Sequence, residues 1–283
     1  MRPAECSRAT ASGLTETHYF MTASLKIALR DMIDGALQWP LWGSLGWRDI
    51  RQRYTRTILG PFWLTLSTAI FLTFFSLVYS KLFNLDLHSY LPYLTAGFLP
   101  WILFSAVVSE SCTVFTAEKQ TIANWQFPYS VFVYKAVYRN TIVFLHNFLI
   151  LLVVYLIYGP VPSWNMLWLP VSLALFCLNA FWICILLGTL CARFRDVQPL
   201  VASILQITMF MTPIFWRPEM LAKRTAFIDA NIVYHAISIV RDPLLGKAPA
   251  TVSLVFCLAS AVIGTSVALV LYGRFRRRIP FWV

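Results

Sequence analysis

The sequence predicts an all-α integral membrane protein with six transmembrane helices, an N-terminal amphipathic interface helix and a re-entrant outer segment between spans five and six. Of its 283 residues, 59% are hydrophobic and only 12% are charged, whereas a soluble domain is roughly 45–50% apolar and about 25% charged. Uncharged runs recur that could each cross roughly 30 Å of hydrocarbon as a helix of about 20 residues. An ordinary soluble enzyme, a disordered chain and a coiled coil are therefore excluded.

The uncharged runs place the spans. Helices are expected because the membrane interior offers the backbone no partner outside its own segment. The run 140–192 has 53 residues and is too long for one crossing. It is divided at the turn Gly159-Pro160-Val161-Pro162, since a transmembrane helix would not continue through these residues. The predicted spans are residues 57–80, 87–109, 140–158, 166–191, 197–216 and 248–273.

The distribution of basic residues predicts the orientation. With six spans both termini lie on one side, and that side receives 17 of the 23 Lys and Arg residues. The positive-inside rule makes this side cytoplasmic. The net charge of +11 then orients the chain against anionic lipid, and nucleic acid is not needed as a partner to explain it.

The region before span one is predicted to lie in the membrane interface. Apolar residues recur at helical spacing over residues 25–37, and charged residues, among them Lys26, Arg30, Asp31 and Asp34, occupy the other face. We therefore divide the chain into a disordered extension at 1–23, an amphipathic cytoplasmic interface region at 24–56, a six-span domain at 57–273 and a basic cytoplasmic tail at 274–283. The outer residues 226–240 are apolar but too few to cross, which indicates an interfacial or re-entrant segment.

The sequence carries no recognisable enzymatic motif. A P-loop is absent, because the Gly246-Lys247 pair is followed by Ala248. The acidic residues are isolated rather than paired as acid–base catalysis would need. We predict a transport chain that is not an enzyme, holds no metal and binds no cofactor itself.

Glu110 is the one ionisable residue within span two, and such a residue indicates a functional site by default. Counted from the inner face at 1.5 Å per residue, Glu110, His146 and Gln206 lie at one depth. We expect Glu110 to face the bundle and to hydrogen-bond His146 or Gln206. The group is either a structural clasp or a polar part of a translocation path or latch.

Aromatic residues surround Pro100 in the same span. Phe98, Trp101 and Phe104 could stack on sugar rings along a translocation path, or they could simply pack in the core or face lipid.

Two cytoplasmic connections are candidate docking surfaces for a partner. The connection between spans two and three, residues 116–135, is the largest internal cytoplasmic loop, and the turn 193–196 is the next candidate. The candidate coupling residues are Glu118, Lys119, Gln120, Asn124, Arg193 and Asp196.

Several short motifs, in order, resemble the permeases of ABC type-2 transporters that export polysaccharides such as O-antigen, capsule or teichoic acid. The motifs are Arg48-Asp49-Ile50-Arg51-Gln52-Arg53-Tyr54, Leu59-Gly60-Pro61-Phe62-Trp63, Tyr93 to Pro100-Trp101, Phe127-Pro128, Arg193-Phe194-Arg195-Asp196-Val197, Pro213-Ile214 and the tail Phe275 to Trp282. The resemblance covers about residues 40–283.

The resemblance implies a multi-pass protein of the bacterial inner membrane that forms a homodimer. It also implies two copies of a separate P-loop ATPase, which would bind ATP and Mg²⁺, and a lipid-linked polysaccharide cargo that crosses at the dimer interface. The amphipathic helix and the 116–135 loop would contact the ATPase, and residues 226–240 resemble the re-entrant outer gate of such permeases.

A lipid pyrophosphate would need cations at the cytoplasmic mouth, where Arg48, Arg51, Arg53 and Arg56 lie. The alternative is that these residues anchor the chain on anionic lipid. Two other functions stay open at this point: the same architecture with a drug or a small lipid as cargo, and an ATP-independent flippase or membrane enzyme.

Overall fold

The structure is a computed structural model that describes residues 24–55, 60, 62–125, 127–158, 163–220 and 226–283. Within these residues the secondary structure is helical. The predicted disorder of residues 1–23 and the predicted turn 159–162 lie outside the described residues. The α-helices of the described residues are α1 (24–37), α2 (Trp39–Tyr54), α3 (Phe62–Leu82), α4 (Leu87–Ser111), α5 (Lys119–Asn124), α6 (Ser130–Tyr158), α7 (Leu169–Arg193), α8 (Val197–Met211), α9 (Ala226–Asp229), α10 (Ile232–Leu244), α11 (Thr251–Phe275) and α12 (Ile279–Trp282).

In the described part of the chain, five helical segments are long and apolar enough to cross a membrane, and they correspond to predicted spans one to four and six. The segment predicted as span five differs. Its helix α8 has 15 residues, which is about 22 Å at 1.5 Å per residue. It ends because Thr212 leaves the helical conformation, with φ −86° and ψ 135°, just before Pro213. Span three also begins earlier than predicted, at Ser130 rather than residue 140.

Side-chain caps set the start of helices α4 and α10. The Asp86 carboxylate accepts a hydrogen bond from the Ser89 amide at the start of α4. The Asn231 side chain accepts from the amides of Val233 and Tyr234 at the start of α10. Short polar side chains favour such positions because they satisfy amides that have no partner within the helix. These caps fix where the chain turns back into the bundle.

Helix α4 lies at the centre of the bundle and contacts α3, α6, α7, α8 and α10. Two apolar clusters pack along it and beside it. We call the end of the bundle that carries Lys135, Arg139 and the basic tail the basic end, and the other the opposite end. One cluster, around Leu94, Trp101 and Ile237, lies toward the opposite end, and the second, around Phe115 and Tyr272, lies at the basic end.

The predicted re-entrant segment folds as α9 and α10. Most of α10 is buried, including the whole stretch from His235 to Arg241, and the helix packs against α4, α7 and α11. Its 13 residues are too few to cross the membrane. A short, deeply packed helix of this kind agrees with the predicted re-entrant segment.

Helix α1 packs differently from the prediction. The predicted polar face contained Asp31, but the structure buries this residue, together with Ala28 and Met32 from the apolar stripe. The remaining apolar side chains, Leu25, Leu29 and others one turn apart, stay exposed. The helix therefore has a face that packs on the protein and a separate apolar face that remains free for the membrane interface.

We predict that Gly264→Ala destabilises the protein, because a Cβ at this position would lie 2.2 Å from the Trp182 ring of α7. Overpacking of this kind costs roughly 1–3 kcal/mol and would lower the thermal unfolding midpoint of the detergent-solubilised protein. The matched control is Gly43→Ala, since nothing lies within 4 Å of that site. Equal midpoints for the two variants would contradict the packing of α11 on α7.

Candidate functional site

A chain of ion pairs crosses the basic end of the bundle. Lys135 and Arg139, one turn apart on α6, share the carboxylate of Asp49 on α2, each at 3.0 Å. Lys135 also pairs with Glu118 at 2.5 Å, and Arg139 pairs with Glu110 at 2.6 Å. Three carboxylates from three segments therefore converge on two cations of one helix.

The five side chains of this cluster are mostly shielded from water, with exposures from 11% to 23%. Charges removed from water are costly unless paired, so loss of one partner leaves another uncompensated. The cluster consists of Asp49, Glu110, Glu118, Lys135 and Arg139, and we call it the charged cluster. The charged cluster joins the segment Thr116–Glu118 to helices α2, α4 and α6.

The predicted partners of Glu110 are wrong. Its carboxylate bonds Arg139 and accepts a hydrogen bond from the Asn140 amide at 2.8 Å. The ring of His146 instead contacts Phe62 edge-on at 5.2 Å, and Gln206 is exposed on α8. The depth count failed because α6 begins ten residues before the predicted span, which brings Arg139 within its first turns, opposite Glu110.

Asp31 is the centre of a second buried polar site. Its side chain is 1% exposed, and it accepts hydrogen bonds from the amides of Tyr129 and Ser130 at 3.2 and 3.1 Å. The Tyr272 hydroxyl donates at 2.8 Å, and the Arg276 guanidinium pairs with it at 2.5 Å. Asp31 thus caps the start of α6 from another helix and holds α1 against the C-terminal tail.

The other predicted coupling residues lie on the surface of the basic end. Lys119, Gln120 and Asn124 on α5 are exposed, as are Arg193 and Asp196. Trp125 follows α5 and is 64% exposed. Glu118 alone among the predicted coupling residues is engaged inside the charged cluster, so it connects the exposed segment to the spans.

The predicted head-group residues lie along α2. Arg48, Arg51 and Arg53 are exposed, whereas Ile50 on the other side of the helix is buried. Arg56 lies outside the described residues. The exposed guanidinium groups are therefore free to meet an anionic ligand or lipid.

The predicted aromatic residues of the translocation path pack inside the single chain. Trp101 is buried and contacts Phe104 with ring centroids 5.9 Å apart. Phe98 stacks on Phe71 at 5.1 Å. Stacking of a sugar on Trp101 would require these contacts to open.

A third polar site lies at the opposite end, and the sequence did not indicate it. Arg241 of α10 is buried and donates to the Tyr93 hydroxyl at 3.0 Å and to the Pro213 carbonyl at 2.9 Å. Burial raises the pKa of the neighbouring Asp242 carboxyl, and Arg241 and Lys247 oppose this rise. By donating to the Pro213 carbonyl, Arg241 satisfies a backbone acceptor just beyond the end of α8. A cation within a mostly apolar segment was the available signal.

These sites consist of paired charges and hydrogen-bonding groups that join neighbouring helices. In the described part of the chain, no group of three or more His, Cys, Asp or Glu side chains could hold a metal ion. The residues that the sequence did not single out are Asp31, Asp49, Lys135, Arg139 and Arg276. Lys135 and Arg139 could have been found as two cations spaced four residues apart beside an apolar run.

The bundle of membrane-length helices, with its charged cluster at the basic end, defines a multi-pass membrane protein. The comparison of sequences gives the particular family: residues 40–245 match the ABC-2 type transporter family, and the chain belongs to it.

Two curated relatives are permeases by name. The chain is 25% identical over 182 residues to the O-antigen export system permease protein RfbA of Klebsiella pneumoniae, which covers 64% of this chain and 70% of that protein. It is 24% identical over 173 residues to the protein of the same name from Myxococcus xanthus, which covers 61% of this chain and 66% of the relative.

We predict that Asp31→Ala strongly lowers thermal stability, because it leaves Arg276 half-buried and unpaired and removes the cap of α6. Breaking a buried pair costs roughly 3–5 kcal/mol. Asp34→Ala is the matched control on the same helix, since its pair with Arg30 is exposed and such pairs contribute about 0–1 kcal/mol. Thermal unfolding of both variants in one detergent measures the difference. Equal shifts would show that Asp31 does not hold α1.

Proposed function

We propose that this chain is the permease subunit of an ABC exporter that moves a lipid-linked cell-surface polysaccharide of the O-antigen or capsule type across the bacterial inner membrane. A separate P-loop ATPase, present in two copies, hydrolyses ATP with Mg²⁺ and drives the movement. The chain itself acts by binding and conformational change and catalyses no reaction. Membership of the ABC-2 family and the names of the two RfbA relatives support this proposal.

The charged cluster is the observation that carries the coupling step. Movement of the α5 segment by a partner would pull on Glu118, which pairs with Lys135 at 2.5 Å. Lys135 shares Asp49 with Arg139, and Arg139 holds Glu110. Because packed, paired elements shift between discrete arrangements rather than deforming smoothly, displacement of α5 would reach α2, α4 and α6 together.

The free faces of α3 and α8 support a homodimer. No residue of α8 is buried within the chain, and Ile204, Ile207 and Phe210 are exposed along it. Only 22% of the most apolar stretch of α3 is buried within the chain. A second copy that covers these faces would enclose the translocation path between two chains. Because Trp101 packs inside each chain, a path between the two chains does not require its contacts to open.

The exposed arginines of α2 suit the lipid pyrophosphate of the cargo. Arg48, Arg51 and Arg53 lie beside the charged cluster, since Asp49 is on the same helix. Guanidinium groups pair with phosphate through two parallel hydrogen bonds. If α2 meets the head group on the cytoplasmic side, the basic end of the bundle faces the cytoplasm. Both termini are then cytoplasmic, and α1 lies in the inner interface of the membrane.

The first experiment isolates the C-terminally tagged chain from native membranes in mild detergent and determines whether a P-loop ATPase copurifies in equal copy number. We expect that it does, and that Trp125→Ala reduces the recovered ATPase severalfold, because an exposed tryptophan at a docking surface carries a large share of the binding energy. The matched control is Trp164→Ala at the opposite end, where the side chain is 88% exposed. The tagged chain emerging without an ATPase would overturn the exporter assignment.

We further predict that Glu110→Gln lowers polysaccharide export severalfold while the protein level and the bound ATPase stay normal. The amide keeps the size of the side chain but removes the charge that pairs with Arg139 at 2.6 Å. Surface polymer is measured by gel and immunoblot. Ser109→Ala, an exposed neighbour on α4, serves as the control. Full export by Glu110→Gln would leave Glu110 with a structural role only.

A further inference from the structure

A polar cavity of about 410 Å³ opens at the opposite end of the bundle, away from the charged cluster. It lies between the start of α4, the end of α6 and the segments that follow α8 and α10. The side chains that give it its chemistry are His88, Tyr93, Tyr158, Arg217, Glu219 and Lys247. Its volume falls in the range of about 300–1,000 Å³ that small-molecule sites occupy.

The position of Arg217 is fixed by the walls of this cavity. Its guanidinium donates to the Ser89 carbonyl at 2.8 Å and to the Ser89 hydroxyl at 3.2 Å. It also lies over the Tyr93 ring, 5.1 Å from the centroid. Its Nε is buried and has no hydrogen-bond partner among the described residues. The cation is therefore held in place while part of its donor capacity remains unused.

The cavity has an excess of positive charge. Within the described residues, neither Arg217 nor Lys247 forms a salt bridge, and Glu219 is the lining carboxylate. Behind the wall, Arg241 lies on Tyr93 at 4.9 Å and pairs only loosely with Asp242, at 3.8 Å. Two lining cations, Arg217 and Lys247, thus face one lining carboxylate, Glu219. An anionic ligand would complete this set of charges.

The size of the cavity and its remaining polar groups restrict the class of ligand further. The space exceeds what a bare anion needs, and the Ser89 hydroxyl, the His88 ring and the Tyr158 hydroxyl add further hydrogen-bonding groups to the wall. We propose that this cavity binds a sugar that carries a carboxylate, with Arg217 and Lys247 holding the anion and the other polar groups meeting the hydroxyls. The source is an acidic residue of the exported polymer or a free sugar acid. An acidic residue of the polymer as the source rests on the proposed function, whereas the binding of an acidic sugar to this cavity does not.

The test measures binding of glucuronate, glucose and inorganic phosphate to the purified full-length chain in detergent by isothermal titration calorimetry. We expect glucuronate to bind about tenfold more tightly than glucose, because a charge-assisted hydrogen bond is roughly twice as strong as a neutral one. Its affinity should fall with added salt. Equal affinity for glucuronate and glucose, or phosphate binding as tightly as glucuronate, would overturn a site for acidic sugars.

Variants tie the binding to this cavity. Arg217→Gln and, separately, Lys247→Gln should each weaken glucuronate binding about tenfold, and Lys247 is exposed, so its replacement leaves the fold intact. Arg277→Gln, exposed at the basic end, is the matched control and should bind as the unaltered chain does. If Lys247→Gln and a folded Arg217→Gln both bind glucuronate with unchanged affinity, the assignment is overturned.

An export assay distinguishes the two sources of the ligand. If export of an acidic polymer falls in Lys247→Gln while the copurified ATPase is unchanged, the cargo supplies the sugar. Normal export together with lost glucuronate binding assigns the cavity to a free sugar acid instead. Both outcomes keep the binding site, whereas failure of the ATPase to copurify would affect only the proposed function.

Discussion

The structure depends on one constraint: a charge that leaves water must find a partner inside the protein. At the basic end this constraint is met twice. Asp31 collects donors from two backbone amides, a tyrosine and an arginine, and the charged cluster alternates carboxylates with cations across α2, α4 and α6. Since apolar surface gives helices in a membrane little reason to prefer one neighbour over another, these polar contacts are what specify how the interface helices sit on the spans.

The two ends of the bundle solve different problems with the same chemistry. At the basic end, paired charges join surface segments to the spans, which suits the transmission of a movement from outside the membrane. At the opposite end, Arg241 satisfies the Pro213 carbonyl where α8 stops short, and this permits irregular backbone among buried helices. Such backbone is tolerated at membrane depth only where protein groups satisfy it. The short α8 and the buried α10 therefore belong to one arrangement.

Hydropathy predicted five of the membrane-length helices correctly because a span is a local property of sequence. The boundaries of α6 and α8 were less accurate, since the sequence assigns Lys135 and Arg139 to the connection before span three and Pro213 to span five. The partners of Glu110 followed from that boundary and were wrong for the same reason. Asp31 could not be placed from sequence, because its partners Ser130 and Tyr272 lie 99 and 241 positions away. The roles given to the site residues remain predictions.

The link between Asp31 and Arg276 has a consequence for biogenesis. Synthesis proceeds from the N-terminus, so α1 is made before α3 to α11, and Arg276, which pairs with Asp31 of α1, follows α11. Until then the Asp31 carboxylate can reach the start of α6 but has no cation. The packing of α1 on the bundle is therefore completed only after the helices between Asp31 and Arg276 have been synthesised.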